Sequence, residues 1–149
     1  MVPKINLAGL AVVTTMATEP AVTLGVVQGP PLADMEAIYS SADFLLQASL
    51  REWSGLAIME ALSCGCIPVV TDIPSFRALT ASGRYGRLYP IGDDGALAEA
   101  LLAIDNAERE SLAKSIRGYF AAELSFAALA RQLDAVYDDL VAAANTQVD

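Results

Sequence analysis

The sequence predicts an α/β domain: a parallel sheet of about five or six strands with helices on both faces, closed by a helical carboxy-terminal tail. Three observations carry this reading. Short apolar runs alternate with segments whose apolar residues recur every three or four positions. The runs read as strands buried on both faces, which is how parallel strands read. From Asp93 onward only the helical spacing continues.

The elements follow in order. Lys4–Leu10 (KINLAGL) and Val22–Val27 (VTLGVV) read as buried strands. Leu32–Ala42 reads as a helix, with Met35, Ile38, Tyr39 and Ala42 at helical spacing. Asp43–Ala48 (DFLLQA) is a short apolar strand. A helix then runs from Ser54 or Gly55 to Cys64 and is stopped by Gly65. Ile67–Thr71 (IPVVT) is the next strand, Pro74–Thr80 a short helix, and Gly86–Tyr89 a short strand. Asp93 and Asp94 are candidate caps for a helix over Ala96–Asp105, and Ala107–Ala122 follows. Ser125 caps a last helix, whose Phe126, Leu129, Leu133, Val136, Tyr137 and Leu140 step by three and four.

Length and composition bound the function. The chain has 149 residues, the size of one domain, and 54% of them are hydrophobic. No apolar run reaches the roughly 18 residues of a transmembrane segment, and no signal-peptide pattern opens the chain, so a cytoplasmic location is expected. The net charge of −9, with nine basic residues scattered from Lys4 to Arg131, provides no patch for a nucleic-acid backbone. Cys64 and Cys66 flank a single glycine, too close for an unstrained bridge, and read as small core thiols. With no histidine in the chain, no metal site is expected, and acid–base chemistry falls to carboxylates or to another domain.

Ligands of parallel sheets bind outside the carboxyl ends of the strands. The loop Ala48–Trp53 lies at such an end, and it opens the segment EWSGLAIMEALSCGCIPVV, Glu52 to Val70. Glu52 sits on the loop. Ser54 and Gly55 open the helix, whose unpaired N–H groups and positive dipole end favour an anion. Glu60 follows among Leu56, Ile58, Met59, Ala61 and Leu62, where a helix built only for packing would carry a neutral residue. If it holds the hydroxyls of a ribose, it is expected partly buried, at the carboxyl end of the sheet and turned toward the cleft. Carboxylates make strong charge-assisted bonds to hydroxyl pairs. An anion cradle flanked by two carboxylates therefore suits a nucleotide sugar, with phosphate in its middle and hydroxyls at its ends. Read from spacing alone, a solvated Glu52 and a surface Glu60 fit as well.

The segment YSSADFLLQASLREWSGLAIMEALSCGCIPVVTD, Tyr39–Asp72, resembles the donor-side domain of retaining glycosyltransferases of the GT-B architecture, the group 1 or glycogen-synthase-like family. The matching positions are Asp43, Ser49, Glu52, Gly55, Glu60, Ala61, Gly65, Pro68, Val69, Val70 and Asp72. The likeness extends to Gly86–Leu101 and to Val22–Gln28. It implies a Rossmann-like sheet forming one half of a GT-B protein. Residues 1–149 would be a single nucleotide-sugar-binding domain, shortened on its amino-terminal side, with a carboxy-terminal helix over 125–149. Glu52 takes the catalytic position against the donor sugar, and Ser54, Gly55 and Leu56 face the sugar and diphosphate. Glu60 holds the ribose, and Val27 and Gln28 lie near the base. The resemblance implies no cofactor beyond the nucleoside-diphosphate sugar as donor substrate, and no metal.

The sequence also departs from the family pattern. Ser54 stands where the family usually has an aromatic residue, with Trp53 one place earlier, and a family glutamate falls near Arg77. The family's diphosphate clamp and its amino-terminal acceptor domain have no counterpart here. The expected partners are therefore a nucleotide sugar, the missing acceptor domain and, through uncovered apolar surface, a second copy in a homo-oligomer. Activity in isolation is not expected. Two other functions remain open: a non-catalytic assembly or regulatory module of the same fold, and a nucleotide-sugar epimerase half-domain.

Overall fold

A computed structural model describes residues 10–11 and 35–146. Four parallel strands lie in the order β1 (Leu10–Ala11), β2 (Phe44–Gln47), β3 (Ile67–Thr71) and β4 (Arg87–Tyr89). Between them run α1 (Met35–Ser41), α2 (Leu56–Cys64) and α3 (Pro74–Leu79), and after them α4 (Asp94–Leu102), α5 (Asn106–Tyr119) and α6 (Phe126–Thr146). The α/β class, the parallel sheet and the helical tail are as the sequence predicts. Apart from Leu10, the strand expected over Lys4–Leu10 lies outside the described residues, as does the one over Val22–Val27.

β3 lies between β2 and β4, and all five of its residues are buried. Its register sets Leu45 beside Pro68, Gln47 beside Val70 and Val70 beside Leu88, so these side chains share one face. Onto that face pack Tyr39 of α1, Ile58, Ala61 and Leu62 of α2, and Phe76 of α3. Ile58, Ala61 and Leu62 recur at i, i+3 and i+4, which is one stripe of a helix. Truncating Ile58 or Leu62 to alanine is expected to cost about 2–5 kcal/mol. The other face carries Val69, Thr71 and Tyr89, and α4 packs on β3 and β4 beside Tyr89. Pro68 also constrains its neighbour: a Cβ at Gly86 would lie 2.6 Å from the Pro68 carbonyl oxygen, so β4 can start there only from glycine.

The helix ends show where the sequence misleads. Gly65 closes α2 as expected, with Gly65 N–H donating to Leu62 O at 3.1 Å and Cys66 N–H to Ala61 O at 2.9 Å. Asp93 caps α4 through its carboxylate, which accepts from Ala96 N–H at 2.8 Å. This helix ends at Leu102, short of the expected Asp105, because Asp105 is taken as the cap of α5 and accepts from Glu108 N–H at 2.8 Å. Beyond Tyr119 the chain widens into a π-helical turn, Phe120–Leu124. Ser125 then accepts from Ala128 N–H at 3.2 Å and starts α6.

α5 is fastened to the amino ends of the strands. Arg109 pairs with Asp43 at 2.8 Å just before β2. Glu108 pairs with Arg87 at the start of β4, and Arg117 donates to Cys64 O at 3.2 Å just before β3. The loop after β2 emerges at the opposite, carboxyl end of the sheet. α6 turns its apolar stripe outward: Phe126, Leu133 and Leu140 are exposed, and of its side chains only Ala128 is fully covered among the described residues.

Candidate functional site

β2 ends in Gln47, a buried amide after three apolar residues. Its Nε2 donates to Ser49 Oγ at 3.1 Å and to Glu52 Oε2 at 3.4 Å. The other carboxylate oxygen, Glu52 Oε1, accepts the Trp53 backbone N–H at 3.0 Å. The neighbouring strands hold the same loop: Thr71 Oγ1 at the end of β3 donates to Ser49 O at 2.6 Å, and Tyr89 Oη on β4 donates to Gln47 O at 3.5 Å. The loop is therefore tied to three strand ends, and the Glu52 carboxylate is held through both oxygens. Gln47 Oε1 is buried with no hydrogen-bond partner.

The loop leads directly into α2. Gly55 is its N-cap at φ 57°, in the left-handed region, and no side chain caps the helix. The first intrahelical bonds run from Ile58 N–H and Met59 N–H to Gly55 O, at 2.9 and 3.1 Å. The N–H groups ahead of them have no intrahelical acceptor. Glycine is needed here twice over: for its φ, and because a Cβ would come within 2.3 Å of Leu79 Cδ1. Ser54 and Leu56 are exposed on either side. The structure thus brings Glu52, Ser54 and Leu56 together at the start of α2, around a buried Gly55.

Glu60 lies elsewhere. It lines a cleft of about 610 Å³ between α1 and α2, with Glu36, Tyr39, Ser40, Ser63, Cys64 and Arg117. Glu52 does not line this cleft. Glu60 is exposed, where the sequence suggested partial burial, because Ile58, Ala61 and Leu62 take the inward face of α2 and turn position 60 outward. Below it, the Tyr39 hydroxyl is buried and makes no hydrogen bond. Burial, and then the adjacent Glu60 carboxylate, push the Tyr39 pKa well above the usual tyrosine value.

After β3, Asp72 forms a two-pronged ion pair with Arg77, whose Nη2 donates to Asp72 Oδ2 at 2.6 Å. The guanidinium holds the Asp72 carboxyl below the usual carboxylate range. Both cysteines are free, and burial, aided by Cys64 and Asp43, pushes the Cys66 thiol up to about 12. Among the described residues no cluster of three metal-ligating side chains forms, and no helix is long and apolar enough to cross a membrane. Val27 and Gln28 lie outside the described residues. Gln47 and Thr71 were not singled out by the sequence reading. The signal was available, since each places a polar side chain at the last position of an otherwise apolar strand.

Comparison with known proteins gives the family. The family described as Glycosyl transferases group 1 matches residues 16–106. A phosphatidyl-myo-inositol mannosyltransferase of Mycobacterium leprae is 40% identical over 50 residues, covering 34% of this chain and 13% of that protein. A D-inositol 3-phosphate glycosyltransferase of Corynebacterium urealyticum is 33% identical over 112 residues, covering 74% of the chain and 26% of its own length. An alpha-monoglucosyldiacylglycerol synthase of Streptococcus pneumoniae is 28% identical over 113 residues, 74% of the chain and 24% of that protein. The matched segment spans about a quarter or less of each of these relatives. With its family match running from residue 16 through α1–α4 to Asn106, the chain belongs to the group 1 glycosyltransferases.

Proposed function

We propose that this chain is the donor-binding part of a retaining glycosyltransferase that transfers a sugar from a nucleoside-diphosphate sugar. The observation that carries the reading is the Glu52 carboxylate, held through both oxygens at the carboxyl end of a parallel sheet and three residues before an uncapped helix start. A fixed carboxylate there can accept hydroxyls of the transferred sugar. The N–H groups opening α2 at Ser54, Gly55 and Leu56 can receive the diphosphate. When the bond from the anomeric carbon to the diphosphate oxygen breaks, negative charge grows on the diphosphate, and donors already aimed at it lower the barrier. Glu60, in its cleft with Tyr39, takes the ribose hydroxyls, and the segment around Val27 and Gln28 takes the base.

The acceptor side belongs to a further domain of a two-domain enzyme, and the chain alone does not turn over. Binding energy from both walls of a cleft is what positions two reactants. No metal or cofactor is assigned to the site.

Calorimetric titration with uridine and guanosine diphosphates, and with their hexose conjugates, tests this. At least one conjugate is expected to bind, and Glu52→Ala is expected to abolish its advantage over the bare diphosphate. No affinity for any of them would leave an assembly module of the same fold as the better reading. Multiple turnover by the pure chain would overturn the requirement for a second domain.

A further inference from the structure

Trp53 is the only tryptophan in the chain, and 97% of it is exposed. A Trp ring offers about 150–250 Å² for burial, and leaving it in water forgoes that contribution to the fold. Its backbone is nevertheless tied down. Its backbone N–H is bound to Glu52 Oε1 at 3.0 Å, and two residues later Gly55 is locked at φ 57° between the loop and α2. The Trp53 backbone is thus anchored to a carboxylate whose other oxygen is held by Gln47.

We propose that Trp53 is a stacking platform that selects a pyranose ring at Glu52. A pyranose has an apolar C–H face and a rim of hydroxyls. An indole face is apolar and negative at its centre, so it accepts polarised C–H groups, while an adjacent carboxylate accepts rim hydroxyls. The two residues are neighbours in sequence, and the Trp53 backbone N–H is bonded to the Glu52 carboxylate, which keeps the start of the indole side chain next to the acceptor. Leu50 and Leu56, both exposed, extend the apolar surface on either side of the loop. The inference rests on the donor-site reading for its location. The ring can come from the transferred sugar or from a sugar acceptor, and the test separates the two.

Because Trp53 is the sole indole, emission excited at the red edge of its band reports this position alone. The full chain is titrated with a nucleoside diphosphate, with its hexose conjugate and with methyl hexopyranosides, while calorimetry measures binding independently. The hexose conjugate is expected to shift the emission to the blue if the donor supplies the ring, and a methyl glycoside to do so if an acceptor supplies it. The bare diphosphate is expected to bind with little shift. Trp53→Ala is expected to weaken the pyranose-bearing ligand about tenfold and leave the diphosphate unchanged, with Trp53→Tyr restoring part of the loss. Conjugate binding that is equal in parent and Trp53→Ala, with no emission change at saturation, overturns the inference while leaving the donor site standing. If no nucleotide binds, the donor reading fails, and the glycoside titration alone decides the role of Trp53: a shift supports it and none overturns it.

Discussion

Gln47 holds Glu52: the amide at the end of β2 donates to Glu52 Oε2 at 3.4 Å and to Ser49 Oγ at 3.1 Å. Replacing it separates fold from function. Gln47→Leu removes both donors, and it also removes a buried carbonyl oxygen that has no partner. Leucine in that site is expected to keep the denaturant midpoint level or raise it, since an unpaired buried polar group costs about 1–3 kcal/mol. Affinity for the hexose conjugate is expected to fall by up to about tenfold, as a freed carboxylate loses its preset orientation. Parallel loss of diphosphate affinity would show that Gln47 acts on the whole loop rather than on Glu52.

Glu60 provides a second test. Each hydrogen bond to a charged group contributes roughly 1.5–3 kcal/mol, so Glu60→Ala is expected to weaken nucleotide binding at least about tenfold. Because Glu60 is exposed, its removal is expected to change stability by no more than about 0.5 kcal/mol. Glu99→Ala, exposed on α4, is the control and leaves binding unchanged. Equal affinity in Glu60→Ala and the parent would remove the ribose role.

How much of this was legible in the sequence depends on the physics of each part. The strand Ile67–Thr71 was read residue for residue, because an unbroken apolar run between two helices has few other uses. α2 was bounded by Gly55 and Gly65, whose left-handed backbone is costly for other residues. The boundary between α4 and α5 was misplaced because Asp105 suits a helix end and a helix cap equally until the neighbouring N–H groups are placed. The exposure of Glu60 follows from the phase of Ile58, Ala61 and Leu62, which was available but was weighed below the oddity of a charge. The tie from Gln47 to Glu52 spans a loop whose path no periodicity encodes.

High pH probes the core beneath the cleft. Tyr39 is buried and its pKa is raised, first by burial and then by Glu60. Above the ordinary tyrosine value of about 10, the unfolded chain ionises this phenol while the folded chain keeps its proton. Stability present below about pH 10 is therefore lost as pH rises toward the folded value, by about 1.4 kcal/mol per pH unit for this one group. Tyr39→Phe is expected to move the midpoint of alkaline unfolding upward and to change neutral stability little, since the hydroxyl has no partner to lose. Circular dichroism against pH checks it; an unmoved midpoint would show that other buried groups govern the transition.

Gly55 and Gly92 both have positive φ, 57° and 76°, and differ in surroundings. A Cβ at Gly92 meets nothing within 4 Å, whereas one at Gly55 meets Leu79 Cδ1 at 2.3 Å. Gly92→Ala thus measures the backbone cost alone, about 1–2 kcal/mol. Gly55→Ala is expected to cost more, by whatever displacing Leu79 adds, and to weaken diphosphate binding by shifting the start of α2. Chemical denaturation of the two variants, read with a diphosphate titration, gives both quantities. Equal destabilisation would mean that Leu79 moves aside freely.

The cysteines turn the cleft into its own reporter. Cys66 is buried, and its thiol is pushed up to about 12, so at pH 8 only about one molecule in ten thousand carries the reactive thiolate. Cys64 is half-buried and lines the same cleft as Glu60. One thiol per chain is therefore expected to react quickly with a maleimide in the native state, and peptide mapping should place it at Cys64, with Cys66 reacting only after unfolding. A nucleotide whose ribose sits at Glu60 covers the approach to Cys64. Saturating ligand is then expected to slow the fast reaction severalfold in the parent chain, and Glu60→Ala is expected to need more ligand for the same protection. The rate at Cys66 serves as an internal check that the ligand has not simply stabilised the fold, since that would slow Cys66 without altering Cys64. If calorimetry shows ligand bound while Cys64 reacts at its unliganded rate, the nucleotide lies outside the α1–α2 cleft, and the contact to Glu60 must be given up.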